Sequence, residues 1–242
     1  MDEAQGHTSN HFITVTYSDE HLPPDRSLRP KDITDFIKRV RVERPFRYFY
    51  CGEYGEQFKR PHYHIIAFGL RLDDLKWKKN AQNGSPLYTS AYLTKKWHNK
   101  GHIWIGAVER ESAGYVARYC LKKVGGELAL DHYQAPHLET GEYLSVEPEF
   151  ARMSRRPGIG SVWYDKYKTD LYTYDHKIIE KGKSTKVPRY YDKLLEKENP
   201  DKLQGLKALR KEKALANECT AARLREKEEY KLESIKSLKR PI

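Results

Sequence analysis

The 242-residue sequence contains no apolar run near the roughly 18 residues a membrane-spanning helix needs, and its amino terminus has no apolar stretch of the secretory kind. No membrane association is expected. Cysteine is scarce: Cys51, Cys120 and Cys219 lie far apart with no C-x-x-C pair, which excludes a disulfide framework and a cysteine-based zinc finger. A nucleotide-hydrolysing loop is also missing, because Gly182-Lys183-Ser184 lacks the upstream glycine of a phosphate-binding loop. No repeat is long enough to mean a solenoid.

What the sequence has is positive charge and aromatic rings. Lys and Arg number 45 against 34 Asp and Glu, a net +11, alongside 18 Tyr, 7 Phe and 4 Trp. That combination suits a polyanion whose bases can stack, so nucleic acid leads over an acidic membrane surface. Solubility alone is the competing explanation of the charge. From Asp192 onward 24 of 51 residues are charged, 14 basic and 10 acidic, so this stretch carries only +4 of the surplus. The basic surface therefore extends over the folded part.

Hydrophobic periodicity divides the chain into strands and helices. In HFITVTY (11–17), Phe12, Thr14 and Thr16 alternate with Ile13, Val15 and Tyr17, the pattern of a half-buried strand. Ile33, Phe36, Ile37 and Val40 follow Asp32 with helical spacing, and Asp32 is the expected cap. FRYFYCGE (46–53) and HYHIIAFG (62–69) read as an antiparallel hairpin. A helix is expected over 88–97, a strand over 102–109, and a helix over about 111–123 with Ser112 as N-cap and Gly125-Gly126 as its stop. Interleaved strands and helices around a hairpin predict an α+β domain, an antiparallel sheet backed by helices, with a charged C-terminal helical tail. The domain is expected over 1–190, with core motifs in 11–126, and the tail over 191–242 as helix or partly disordered chain.

Two motifs carry chemistry. In RPHYHIIAF (60–68), His62 and His64 stand two apart on a strand and share a face. Two imidazoles make half a metal site; Glu53, on the neighbouring strand, could close it, with Glu56 as the alternative. Such a donor set suits Mg²⁺, Mn²⁺ or Zn²⁺. In GYVARYCLKK (114–123), Tyr115, Arg118, Tyr119 and Lys122 fall along one helical face, with Val116, Ala117, Cys120 and Leu121 opposite. A face of tyrosines and cations offers nucleophiles and neutralising charge to a phosphodiester. Tyr-x-x-x-Tyr also occurs as Tyr50/Tyr54, which straddles Gly52 at a strand end, and as Tyr88/Tyr92, a rival pair with a less regular opposite face.

Taken in order, FITVTYSDEHLP, GEYGEQFKRPHYHIIAFG and SAGYVARYCLKK resemble the three motifs of HUH endonucleases that initiate rolling-circle replication. Within that superfamily the sequence is most similar to replication initiation proteins of gokushoviruses, single-stranded-DNA bacteriophages of the Microviridae. The resemblance runs from residue 11 to about 195 and includes SRRPGIGSVWYDKY and PRYYDKLLE.

The resemblance implies that His62, His64 and an acidic partner bind a divalent cation, Mg²⁺ or Mn²⁺, and that Tyr115 and Tyr119 are nucleophiles with Lys122 as helper. It implies site-specific nicking of single-stranded or melted origin DNA, a 5′-phosphotyrosine intermediate, a primer 3′-OH and later strand transfer. Host helicase and DNA polymerase would be partners, in the bacterial cytoplasm. Arg118, Lys123, Arg155 and Arg156 are candidates for DNA contact, and the aromatics of 163–174 for either base stacking or a core. A non-catalytic nucleic-acid-binding regulator is the alternative, with the histidines as sheet residues and the tyrosines stacking bases.

Overall fold

The computed structural model describes residues 1–55, 58–81, 83–119, 123–179, 182–217 and 220–236, excepting the side chain of Tyr119. They form two compact units, one up to Ile159 and one from Gly160 onward.

The first unit opens with a single helical turn, α1 (Asp2–Gln5), followed by β1 (Asn10–Thr16), α2 (Pro30–Glu43), β2 (Arg47–Tyr54), β3 (Pro61–Phe68), β4 (Leu75–Asn80) and β5 (Pro86–Ser90). Next come α3 (Ala91–Lys96), β6 (Ile103–Ala107), α4 (Arg110–Tyr119), α5 (Leu128–His132), β7 (Gln134–Pro136), β8 (Tyr143–Ser145) and β9 (Phe150–Met153). Seven strands build one sheet in the order β4-β5-β6-β1-β3-β2-β9, every neighbouring pair antiparallel. The α+β architecture expected from the sequence is the one observed.

Alternation along the central strands sorts two cores. Ile13, Val15 and Tyr17 of the first strand and its end join Tyr63, Ile65 and Ala67 of β3 against Ile33, Phe36, Ile37 and Val40 of α2 and Leu93 beside Trp97. Fully burying each such side chain contributes about 1.5–3 kcal/mol. Trp97 sits at the centre, its ring 5.3 Å from Tyr17 and 5.6 Å from Phe36. On the other face Phe12, Cys51, Ile66 and Phe68 pack with Tyr115 and Val116 of α4. That second face carries His62 and His64.

Several boundaries differ from the sequence reading. α2 starts at Pro30, whose ring suits the first helical position, so Asp32 lies in the first turn and not at the cap. The Asp32 carboxylate accepts from the Tyr17 hydroxyl at 2.8 Å and from Lys100 at 3.0 Å. The helix expected over 88–97 is split: Tyr88 belongs to β5, and the Ser90 hydroxyl caps α3 by accepting from the Leu93 N–H at 3.1 Å. α4 begins at Arg110, so Ser112 is not its N-cap. From inside the first turn its hydroxyl oxygen accepts from the Glu109 N–H at 2.9 Å, the reach-back half of a capping box.

The second unit holds α6 (Ser161–Tyr174), the two-stranded pair β10 (Lys177–Ile178) and β11 (Ser184–Thr185), and helices α7 (Arg189–Glu198), α8 (Pro200–Leu215) and α9 (Ala221–Lys236). The charged stretch is helical as expected. It does not stand apart from what precedes residue 190, because Tyr164, Leu171 and Tyr172 of α6 share one core with Tyr191, Leu195 and Leu203. Arg210 of α8 locks this unit, donating to Asp175 at 2.6 Å and to Asp192 at 2.7 Å. Tyr164 and Tyr172 are thus core residues and not a base-stacking surface.

Candidate active site

The site grows out of the β1–β3–β2 register. His64 stands opposite Thr14 on one side and Cys51 on the other; His62 stands opposite Thr16 and Glu53. Because side chains two apart share a face, all six point to the α4 side.

His64 is held at both ring nitrogens. Its Nε2 lies 2.7 Å from Glu53 Oε1 and its Nδ1 lies 3.0 Å from the Thr14 hydroxyl. A carboxylate can only accept, so Nε2 carries the proton and Nδ1 of the neutral ring accepts from Thr14. The Phe12 ring stacks parallel to the imidazole at 5.5 Å, and Tyr115 meets it edge-on at 5.4 Å. Glu53 and His64 are only 4% and 2% exposed.

His62 is oriented by the turn. Its Nδ1 lies 2.7 Å from the Arg60 carbonyl, which accepts only, so Nδ1 donates and Nε2 keeps a lone pair. Burial, reinforced by the neighbouring His64 imidazole, pushes the His62 pKa down to about 4. The ring therefore stays neutral near pH 7, the state a cation binds. Gly55 makes room for it: a Cβ there would lie 2.9 Å from His62 Cε1.

Tyr115 completes the cluster from α4. It is buried, and its hydroxyl donates a long hydrogen bond of 3.4 Å to Glu53 Oε1. The sequence pattern puts Tyr115 on an outward face opposite Val116 and Ala117. Instead Tyr115 and Val116 both face the sheet and Ala117 is exposed. Tyr119 closes α4, one turn on, and its side chain lies outside the described residues, as do Lys122 and Glu56. The rival tyrosines are elsewhere: Tyr88 and Tyr92 both pack on the α2 side of the sheet.

The donor chemistry fits a divalent cation. Glu53 Oε2 is buried and has no hydrogen-bond partner among the described residues, an expensive state that an ion would relieve. Two imidazoles and a carboxylate are a usual set for such ions. Among the described residues no three His, Cys, Asp or Glu side chains are already drawn together as a cage. The reason is visible in the bonds: Glu53 Oε1 takes the His64 proton, and an ion at this point would replace that proton.

The proposed DNA-contacting arginines lie apart from this cluster. Arg155 and Arg156 are exposed and line an open groove with Arg41, Arg47, Tyr48 and Ser154. Arg41 belongs to α2 and lies 5.5 Å from the Tyr48 ring, so the groove is on the α2 side at the β9 end of the sheet. Arg118 is half-buried on α4 and Lys123 is exposed. Thr14 and Phe12 are the contributions that sequence reasoning misses. Only the strand register, which puts both beside His64, identifies them.

Residues 10–124 match the model of the replication-associated protein ORF2 family. The chain belongs to that family. It is 34% identical over 210 residues to replication-associated protein VP4 of Bdellovibrio phage phiMH2K, covering 83% of this chain and 62% of that protein. It is 39% identical over 205 residues to replication-associated protein ORF2 of Spiroplasma virus 4, covering 79% of this chain and 59% of the relative. Replication-associated protein ORF4 of Chlamydia phage 1 is 29% identical over 137 residues, covering 50% of this chain and 32% of that protein. The chain thus spans about 60% of the length of the first two relatives. These matches bear out the resemblance to gokushovirus replication proteins. No solved structure matches. The matched region holds β1, the histidine strand and α4, so the family likeness and the cluster coincide. Among the described residues no helix is long and apolar enough to cross a membrane.

Proposed function

We propose that this chain is a rolling-circle replication initiator: a metal-dependent HUH-type endonuclease that nicks single-stranded or melted origin DNA and transfers the strand. The observation that carries the reading is the Tyr115 hydroxyl 3.4 Å from Glu53, itself bonded to His64 on the same sheet face as His62. A phenol beside a carboxylate and two imidazoles is a nucleophile beside a cation-binding set. The names of the phage relatives agree with a role in replication.

His62, His64 and Glu53 would hold the cation, Mg²⁺ or Mn²⁺, which when bound neutralises the phosphate charge and favours the ionised phenol. Glu53 orients the Tyr115 oxygen, Thr14 fixes the His64 ring, and α4 with Phe12 keeps this corner dry, where charge interactions are strong. The phenolic oxygen attacks phosphorus and the bond from phosphorus to the 3′ oxygen breaks. The phenol loses its proton, and the leaving oxygen gains one from solvent. A 5′-phosphotyrosine and a free 3′-OH result. Tyr119, one helical turn on, would attack the regenerated origin so that the released 3′-OH closes the circle without ATP. Lys122 and Arg118 would neutralise the transferring phosphate. Lys123, Arg155 and Arg156 would track the backbone, and unwinding and synthesis would fall to host helicase and polymerase.

The test is incubation with Mn²⁺ and single-stranded origin DNA labelled on the 3′ side of the nick, read by denaturing gel and peptide mass spectrometry. A nucleotide-modified Tyr115 or Tyr119 is expected. Binding across several origin oligonucleotides and cations with neither cleavage nor adduct would leave a binding regulator and overturn the nickase.

A further inference from the structure

Beside the histidine cluster, on the same face of the sheet, lies a cavity of about 160 Å³ with no part in the chemistry above. Phe12, Thr14, Leu87, Trp104, Gly106 and Ser112 line it. Two of these belong to both places: Thr14 bonds the His64 ring and Phe12 stacks on it. Ser112 lies in α4 three residues before Tyr115. The cavity exists because of Gly106, which stands opposite Phe12 across the β1–β6 ladder and leaves that place in the row without a side chain.

Its wall is aromatic and its rim is cationic. Trp104, opposite Thr14 in register, is half-buried, and His102 stacks near-parallel on it at 6.2 Å. The exposed Lys79 ammonium sits 4.6 Å from the centre of the Trp104 ring. An incoming planar ring can displace that flexible side chain, and the freed ammonium can then pair with phosphate. A hydrophobic slot with an indole wall, a lysine at the mouth and a shared boundary with a phosphate-transfer centre matches a nucleotide with its base turned in.

Resting on the nickase reading for its location, we propose that this cavity receives one nucleobase of the single-stranded DNA, stacked on Trp104, next to the scissile phosphate. Trp104 fixes the strand so that the phosphate lies over the histidines, and the cavity supplies a base-dependent share of affinity that backbone contacts cannot.

The experiment compares fluorescence anisotropy of the full chain with oligothymidylate, oligodeoxyadenylate and an abasic strand of equal length. Wild type should bind the base-bearing strands more tightly than the abasic one. Trp104→Ala should cut that preference on the order of tenfold, the usual size of one base–aromatic stack, leave abasic-strand affinity unchanged, and be partly rescued by Trp104→Phe. Gly106→Leu guards against a folding artefact. A Cβ at 106 meets only Leu87, at an ordinary 3.7 Å, so this variant fills the cavity from a tolerant position and should lose the same preference. An unchanged preference in both variants overturns the proposal. Binding needs no cleavage, so the two ideas fail separately: adduct formation with an indifferent Trp104 removes only the base pocket, and a base preference that depends on Trp104 without any adduct removes only the nickase.

Discussion

Thr14 and His64 stand opposite each other across the β1–β3 ladder, and the Thr14 hydroxyl lies 3.0 Å from His64 Nδ1. A hydroxyl can donate to that nitrogen or accept from it, so Thr14 holds the ring whichever nitrogen carries the proton. That freedom matters if a cation replaces the proton on Nε2. Thr14→Val, equal in shape without the hydroxyl, should lower nicking about fivefold, the worth of one hydrogen bond near 1 kcal/mol, and Thr14→Ser should restore it. Equal rates for the Val and Ser variants would show that the contact is idle.

Cation binding can be read without activity. Mn²⁺ should raise the melting temperature of the wild-type chain, because a ligand bound only by the folded state stabilises it. Glu53→Gln and the double variant His62→Ala/His64→Ala should lose that rise. The double variant should also lose cleavage and keep most of its salt-sensitive DNA binding, since other cations make the phosphate contacts. A full Mn²⁺ shift in both variants would place the ion elsewhere.

Tyr115→Phe and Tyr119→Phe singly should retain partial nicking, because either phenol can open the strand. The double variant should give no covalent adduct on a denaturing gel, with circular dichroism unchanged. Persistence of the adduct would assign the chemistry to a different nucleophile.

Gly55 is held to glycine by the His62 ring. Gly55→Ala should push that ring from its place, which is cheap for the fold because a side chain and not backbone must move. Mn²⁺ affinity is expected to fall about tenfold with a melting temperature within a few degrees of wild type. A large loss of stability with intact affinity would mean that the turn, and not the imidazole, needs the glycine.

Arg155→Ala/Arg156→Ala should weaken binding of all single strands alike and reduce the dependence of log affinity on log salt by about 1, as loss of one or two phosphate contacts does. An unchanged slope in a salt titration would remove both residues from the DNA path.

Period-two alternation makes β1 and the β2–β3 hairpin legible, and with them the shared face of His62 and His64. Polarity misleads at α4. A tyrosine and an arginine at helical spacing read as an outward face, yet Tyr115 turns to the sheet because a phenol can bury its ring and still spend its hydroxyl on Glu53. Tyr88 and Tyr92 look helical because spacing alone cannot reveal that Ser90 ends a strand and caps the helix after it. Thr14 is invisible as a site residue in the sequence, since its role depends on which strand lies beside it. Tyr164 and Tyr172 suit stacking and core equally by pattern; only the partners on α7 and α8 settle that.

The strand order ends at β4, whose sequence LKWKKN carries Lys76, Lys78 and Lys79. An outer strand is a template for another copy of itself, and like-charged ammonium groups brought into register along it repel. The lysines that meet DNA phosphate with attraction meet a second β4 with repulsion. A chain accumulating in a crowded cell can thereby keep its longest sheet from growing into an aggregate while leaving the same rim open to nucleic acid.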